Sequence, residues 1–133
     1  MMILTLGFLA TAVAFTVLDL LWLGLFAADF YNGHLGPLKA DPVVVPAAAI
    51  FYVFYLVFVY VVAVRGADDR RSALGRGAGM GLFAYGTYEL TNWAVIQGWP
   101  AALVPVDIIW GVLLTGGTAY LGRAVHDWIS GDD

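Results

Sequence analysis

The sequence predicts an all-α membrane protein in which four helices cross the bilayer as a polytopic four-helix bundle. Of its 133 residues, 62% are hydrophobic and only 12% are charged, whereas soluble proteins carry roughly 25% charged residues. The mean hydropathy is +0.84. Four long apolar segments, separated by short polar stretches, can each span the roughly 30 Å hydrocarbon core of a bilayer.

The predicted spans follow these apolar segments in chain order. They cover residues 3–28, 46–64, 73–99 and 101–125 of one domain, residues 1–133. The first segment is too long for a signal-peptide core and has no basic residue in front of it, so we expect it to be retained. The second segment holds no charged residue, and a Gly98-Trp99-Pro100 turn joins the third to the fourth.

The loops and their charges predict the orientation. Residues 29–45 read as a polar, turn-rich loop, and residues 65–72 as a short charged loop. Lys39 is the basic residue of the first loop, and the other five lie toward the opposite side: Arg65, Arg70, Arg71, Arg76 and Arg123. The positive-inside rule therefore predicts that both termini are cytoplasmic.

Small residues predict where the helices pack closely. In the third span, Gly75 with Gly79 and Gly77 with Gly81 are two overlapping pairs spaced four residues apart. Such pairs let a neighbouring backbone approach closely. The fourth span has a comparable set of small residues: Gly111, Thr115, Thr118 and Gly122.

Several classes of function are disfavoured by composition. The net charge of −4 and the lack of a long basic patch disfavour nucleic-acid binding, which needs basic residues to neutralise phosphates. The absence of cysteine excludes disulfides, thiolate metal sites and a cysteine nucleophile. We predict no cofactor and no metal site. His34, in the first loop, is the one side chain that could fold over the acidic residues and add a ligand nitrogen, although a solvated loop histidine is the simpler interpretation.

The third span carries an unusual polar stripe in the sequence YGTYELTNW, residues 85–93. Tyr85, Tyr88, Glu89 and Asn92 share one helix face, because they are spaced three, four and seven residues from the first. An acidic group in hydrocarbon costs several kcal/mol. This face is therefore expected to point toward protein or trapped water.

Three acidic residues lie within the predicted spans: Asp19, Glu89 and Asp107. At 1.5 Å per residue they fall at a similar depth, roughly 9–14 Å below the outer surface. No lysine or arginine lies near that level. Three such carboxylates cannot all stay ionised, so we expect some to be protonated, or to meet a cation or water. The sequence predicts that they surround one pocket open to the outer side.

Aromatic residues accompany these acids. The segments Asp19–Trp22 and Asp107–Trp110 share the pattern Asp-apolar-apolar-Trp, in helices that run in opposite directions. This predicts acid–aromatic pairs within each helix and hints at a weak inverted internal repeat. Glu89 and Trp93 form a third such pair. Trp99 is expected to be an interface anchor.

Each of these residues also has a structural interpretation. The three acids serve equally well as protonated hydrogen-bond partners between helices. Trp22, Trp93 and Trp110 are more simply explained by packing than by a ligand cage. Tyr52 in the second span is expected to pack or to lie in an aromatic belt.

Several motifs together resemble a widespread family of small bacterial predicted membrane proteins of unknown function. They are DLLWLG (19–24), FY (30–31), LG (35–36), YGTYELTN (85–92), WP (99–100) and VDIIWG (106–111). The resemblance implies four spans and an inner-membrane location, and carries no activity or cofactor. Glu89 stands where the family motif leads us to expect aspartate.

Three functions stay open at this point. The first is binding or transport of a small cation or a proton-coupled organic ligand. The second is an accessory subunit of a larger membrane assembly, and the third is a membrane-embedded enzyme acting on a lipid or apolar substrate. The bilayer is the expected partner, with homo-oligomers also compatible. The candidate ligand- or proton-binding residues are Asp19, Glu89, Asp107, Tyr85, Tyr88, Asn92, Trp22, Trp93 and Trp110.

Overall fold

A computed structural model describes residues 1–131, and all its regular elements are helical. The α-helices are α1 (Met2–Trp22), α2 (Ala28–Leu35), α3 (Val45–Phe58), α4 (Arg70–Val95) and α5 (Leu103–Ser130). A π-helical segment, Leu23–Ala27, joins α1 to α2, and a second one, Val59–Arg65, extends α3. The all-α prediction is confirmed.

Three of the helical runs are long and apolar enough to cross a membrane: Met2–Leu38, Val45–Arg65 and Leu103–Ser130. The fourth, α4, has 26 residues and hence sufficient length, but its glycines and polar stripe lower its hydropathy. The predicted orientation and exact span limits stay predictions.

The first loop differs from the prediction. Residues 28–38 form α2 and a short 3₁₀ turn, Gly36–Leu38, in place of an irregular loop. The π-helical segment carries the helix of α1 onward, and Pro37 comes too late to interrupt it. The motif residues Phe30 and Tyr31 of this stretch therefore lie in a helix.

Helices α4 and α5 form the most extensive contact in the fold. A methyl group on Gly81 would collide with the carbonyl oxygen of Gly111, and one on Gly77 would lie 2.5 Å from the carbonyl oxygen of Thr115. The prediction of close packing is confirmed for this pair. It is wrong for Gly75 and Gly79, which face open space, because they lie on the opposite side of α4.

The core lies around α5, which also packs on α1 and on the π-helical segment Val59–Arg65. Its buried side chains include Phe15, Val59, Val64 and Leu114. The hydroxyl groups of Tyr55 and Thr115 hydrogen-bond at 2.6 Å and tie α3 to α5. The N-terminal half of α3 diverges from α4 and α5 beyond this point, which leaves space between them.

Ion pairing holds the second loop against α5. Arg123 donates to a carboxylate oxygen of Asp127 at 2.5 Å and to the backbone carbonyl groups of Ala67 and Asp68. Arg70 reaches the same carboxylate at 3.4 Å. Both members of the Arg123–Asp127 pair are largely buried. Each charge therefore neutralises the other in an environment where an unpaired charge would destabilise the protein.

We expect Gly81→Ala to destabilise the protein by about 1–3 kcal/mol, because the added methyl group forces α4 and α5 apart. Gly79→Ala is the matched control, since Gly79 lies two residues earlier on the same helix and an added methyl group there would have no atom within 4 Å. The control should be neutral or slightly stabilising, by about 0.5–1 kcal/mol. Unfolding of both variants in detergent, followed by circular dichroism, measures the difference. Equal stability of the two would contradict the described packing.

Candidate functional site

A cavity of about 390 Å³ lies where the N-terminal half of α3 diverges from α4 and α5. Four of its seven lining side chains are aromatic, and one is a carboxyl group. The lining residues are Ala48, Phe51, Tyr52, Ala84, Tyr85, Tyr88 and Asp107. Three of them, Tyr85, Tyr88 and Asp107, were predicted as site residues.

Helix packing sets the position of Tyr85. A methyl group on Gly111 would collide with the Tyr85 ring, so the absence of a side chain at Gly111 lets this ring lie directly on α5. One turn further along α4, Tyr88 meets the ring of Trp99 edge to face, with centroids 5.7 Å apart. The polar stripe of α4 thus faces the cavity through these two tyrosines.

Among the acids of residues 1–131, Glu89 is the most deeply buried, with none of its surface exposed. Its Oε2 accepts a hydrogen bond of 2.9 Å from the indole N–H of Trp99. Gly98, with φ of 82°, allows the tight turn that brings Trp99 back to α4. Trp99 was predicted to be an interface anchor and Trp93 to be the partner of Glu89. The prediction for Trp93 is wrong, since Trp93 is 53% exposed and the hydrogen bond comes from Trp99, whereas the interface position of Trp99 stays a prediction.

Asp107 accepts a hydrogen bond from the hydroxyl group of Tyr31. This hydroxyl in turn accepts one of 3.3 Å from the indole N–H of Trp22. Tyr31 was absent from the predicted site, because residues 29–45 were assigned to a loop. The FY motif at residues 30–31 was the available signal.

The π-helical segment Leu23–Ala27 explains how Trp22 and Tyr31 meet. Residues nine apart in a regular α-helix lie on roughly opposite faces, at 3.6 residues per turn. A π-turn is wider, so each residue rotates less about the axis. The segment therefore brings Tyr31 back toward the face that carries Trp22 and directs it at α5.

Asp19 has a separate environment on the other side of Tyr52. Its Oδ1 accepts a hydrogen bond of 3.3 Å from the indole N–H of Trp110, and the Tyr52 hydroxyl group interacts with the same carboxyl group. Asp19 and Tyr52 line a second cavity of about 330 Å³, together with Thr16, Leu20 and other side chains of α1, α3 and the π-helical segment after α1. Tyr52, which was expected only to pack, thus lines both cavities.

The acid–aromatic pairs form across helices, which corrects the prediction of pairs within each helix. Trp110 of α5 donates to Asp19 of α1, and Trp22 of α1 reaches Asp107 of α5 through Tyr31. The two indoles stack between them, with centroids 4.6 Å apart and planes 11° apart. Because α1 and α5 run in opposite directions, the same four-residue pattern in each gives a local two-fold arrangement.

The three acids are thus connected, but neither cavity holds all three. Asp107 lines the first and Asp19 the second, whereas Glu89 lines neither and lies beside Asp107. The expectation of one pocket surrounded by all three is wrong in this respect. The cause is the position of the tryptophan stack and Tyr52 between the two aspartates.

The other predicted residues lie at the edge of this network. Asn92 is half-buried beside Tyr88. His34 is exposed, and its ring N–H donates to the carbonyl oxygen of Phe30 at 2.8 Å, so it does not cover the acids. Over residues 1–131, no three histidine, aspartate or glutamate side chains are grouped to hold a metal ion.

A family comparison covers nearly the whole of this arrangement. Residues 4–124 match the family described as "Predicted membrane protein (DUF2177)". The chain belongs to the DUF2177 family. The matched residues include every acid, tyrosine and tryptophan of the network described above. No curated protein and no solved structure matches this DUF2177 chain.

We expect Trp99→Phe to cost about 1–3 kcal/mol of stability, because it removes the donor of a buried carboxyl oxygen. Trp93→Phe is the matched control. It changes the same residue type six residues earlier, at a position that is 53% exposed. Thermal unfolding of the two variants in one detergent tests the assignment, and a Trp93→Phe variant that loses as much stability as Trp99→Phe would refute it.

Proposed function

We propose that this protein binds a small organic cation in the cavity between α3, α4 and α5, either as a binding protein or as a transporter of that cation. One observation carries the proposal, namely a single carboxyl group, Asp107, among four aromatic rings in a cavity of about 390 Å³. A carboxylate supplies ion pairing and ring faces attract cations. The volume suits a small ligand.

The charge balance of the interior supports a cationic ligand. In the described part of the chain, the ion pairs of Arg70 and Arg123 are made with Asp127, at the far end of the bundle from the cavity. No lysine or arginine there pairs with Asp19, Glu89 or Asp107. A buried carboxylate without a basic partner is stabilised by a proton or a bound cation.

The accessory-subunit function has one observation in its favour. Gly75 and Gly79 form a smooth strip on α4 that no part of residues 1–131 covers, and strips of this kind let helices of another chain approach. A second copy of this chain would fit it equally well. Co-purification with one fixed partner, and loss of the protein without it, would favour this function over cation binding.

Cation binding is tested with phenyltrimethylammonium and its uncharged carbon analogue, tert-butylbenzene. The protein in lipid nanodiscs should bind the cation in preference to the neutral compound of the same shape. Asp107→Asn should weaken cation binding by about tenfold or more, because it removes a partly desolvated opposite charge. Isothermal titration calorimetry gives both affinities.

Asp29→Asn is the control, since it removes an exposed carboxyl group that lines neither cavity. It should bind the cation as the unmodified protein does. Equal binding of the two compounds, or full binding by Asp107→Asn, would refute the proposed function.

We also propose an inner-membrane location with both termini in the cytoplasm. The support is the charge distribution, with five arginines toward one side and Lys39 toward the other. In this orientation the cavity lies nearer the outer surface, because Asp107 follows the start of α5 closely.

Because the chain contains no cysteine, single cysteines report this orientation directly. Asp41→Cys in the first loop should react with a membrane-impermeant maleimide in cells whose outer membrane is permeabilised and whose inner membrane is intact. Asp68→Cys in the second loop should react only after the membrane itself is permeabilised. Both positions are exposed, so the reverse pattern would establish the opposite orientation.

A further inference from the structure

One oxygen atom of the site lacks a partner. Glu89 Oε1 is buried and accepts no hydrogen bond, whereas Oε2 is satisfied by Trp99. Buried polar atoms are nearly always hydrogen-bonded, so an orphan of this kind needs a physical cause. The neighbouring group that interacts with Glu89 is the carboxyl group of Asp107.

Two ionised carboxylates offer each other only acceptors, and like charges at close range repel. A single proton changes this, because a protonated carboxyl group donates to its ionised neighbour. The proton then supplies the donor that Glu89 lacks and removes one of the two buried charges.

We propose that Glu89 and Asp107 share one proton when no cation is bound, and that a cation entering the cavity beside Asp107 displaces this proton to solvent. The inference rests on the proposed function and adds to it that cation binding is coupled to proton release. Asp107 lines the cavity and Glu89 does not. The cation therefore meets one member of the pair directly, and its positive charge takes the place of the shared proton.

The described groups that face the pair supply no positive charge. The proton is therefore the charge that neutralises one of the two carboxylates. The facing groups on α4 are tyrosines, α2 contributes one phenol, α3 contributes Tyr52 across the cavity, and α1 contributes the carboxyl group of Asp19 near Tyr85. In full, they are Tyr31, Tyr52, Tyr85, Tyr88, Asp19 and the indole of Trp99. Within residues 1–131, none of the groups facing the pair is a permanent cation.

Proton release on addition of phenyltrimethylammonium tests this exchange. In weakly buffered detergent solution containing a pH indicator, the unmodified protein should release about one proton for each cation bound. Its affinity should fall as pH falls, by up to about tenfold for each pH unit, because proton and cation compete for one pair. Glu89→Gln should release no proton and should lose the pH dependence of binding. Asp29→Asn should behave as the unmodified protein.

Infrared spectroscopy of the unmodified protein gives a second readout that needs no variant. The carbonyl stretch of a protonated carboxyl group should be present without cation and should disappear when phenyltrimethylammonium is added. Binding with neither proton release nor loss of this band would overturn the shared proton but leave cation binding standing. Absence of any binding would overturn both.

Discussion

Each carboxyl group inside the bundle has to find its hydrogen-bond donors within the protein, because hydrocarbon offers none. This constraint accounts for most of the unusual features of the fold. Indole and phenol groups meet the acids in three places: Trp99 with Glu89, Trp110 with Asp19, and Tyr31 with Asp107. A tight turn at Gly98 and a π-helical segment after α1 serve to deliver two of these donors.

The same close contact that stabilises the bundle also shapes the cavity. Gly81 and Gly111 bring α4 and α5 together, and the bare backbone at Gly111 seats the Tyr85 ring. Helix α3 does not follow, since its hydrogen bond between Tyr55 and Thr115 holds only its C-terminal part against α5. Tight packing on one side and divergence on the other therefore produce an aromatic cavity with a carboxyl group at its wall.

Much of the fold and part of the candidate site could be predicted from the sequence. The remaining predictions were wrong for physical reasons. Composition and segment length gave the membrane class and the helices, and helical periodicity placed Tyr85 and Glu89 on one face. The partners depended on geometry that periodicity does not carry. Trp99 reaches Glu89 only through the turn that precedes it, and Tyr31 faces α5 only because a π-turn changes the rotation of the chain. Pairing within a helix was the wrong expectation for the same reason, since side chains three residues apart are not the nearest partners once two antiparallel helices meet.

The stacked pair Trp22 and Trp110 has a mechanical consequence for the bundle. Sliding α1 along α5 by one turn, about 5.4 Å, would break the stack, the bond from Trp110 to Asp19 and the bond from Tyr31 to Asp107 at once. These contacts therefore oppose sliding of α1 along α5. Helix α3 is tied to α5 by the Tyr55–Thr115 hydrogen bond near its C-terminal end, so the width of the cavity depends on where its N-terminal half lies.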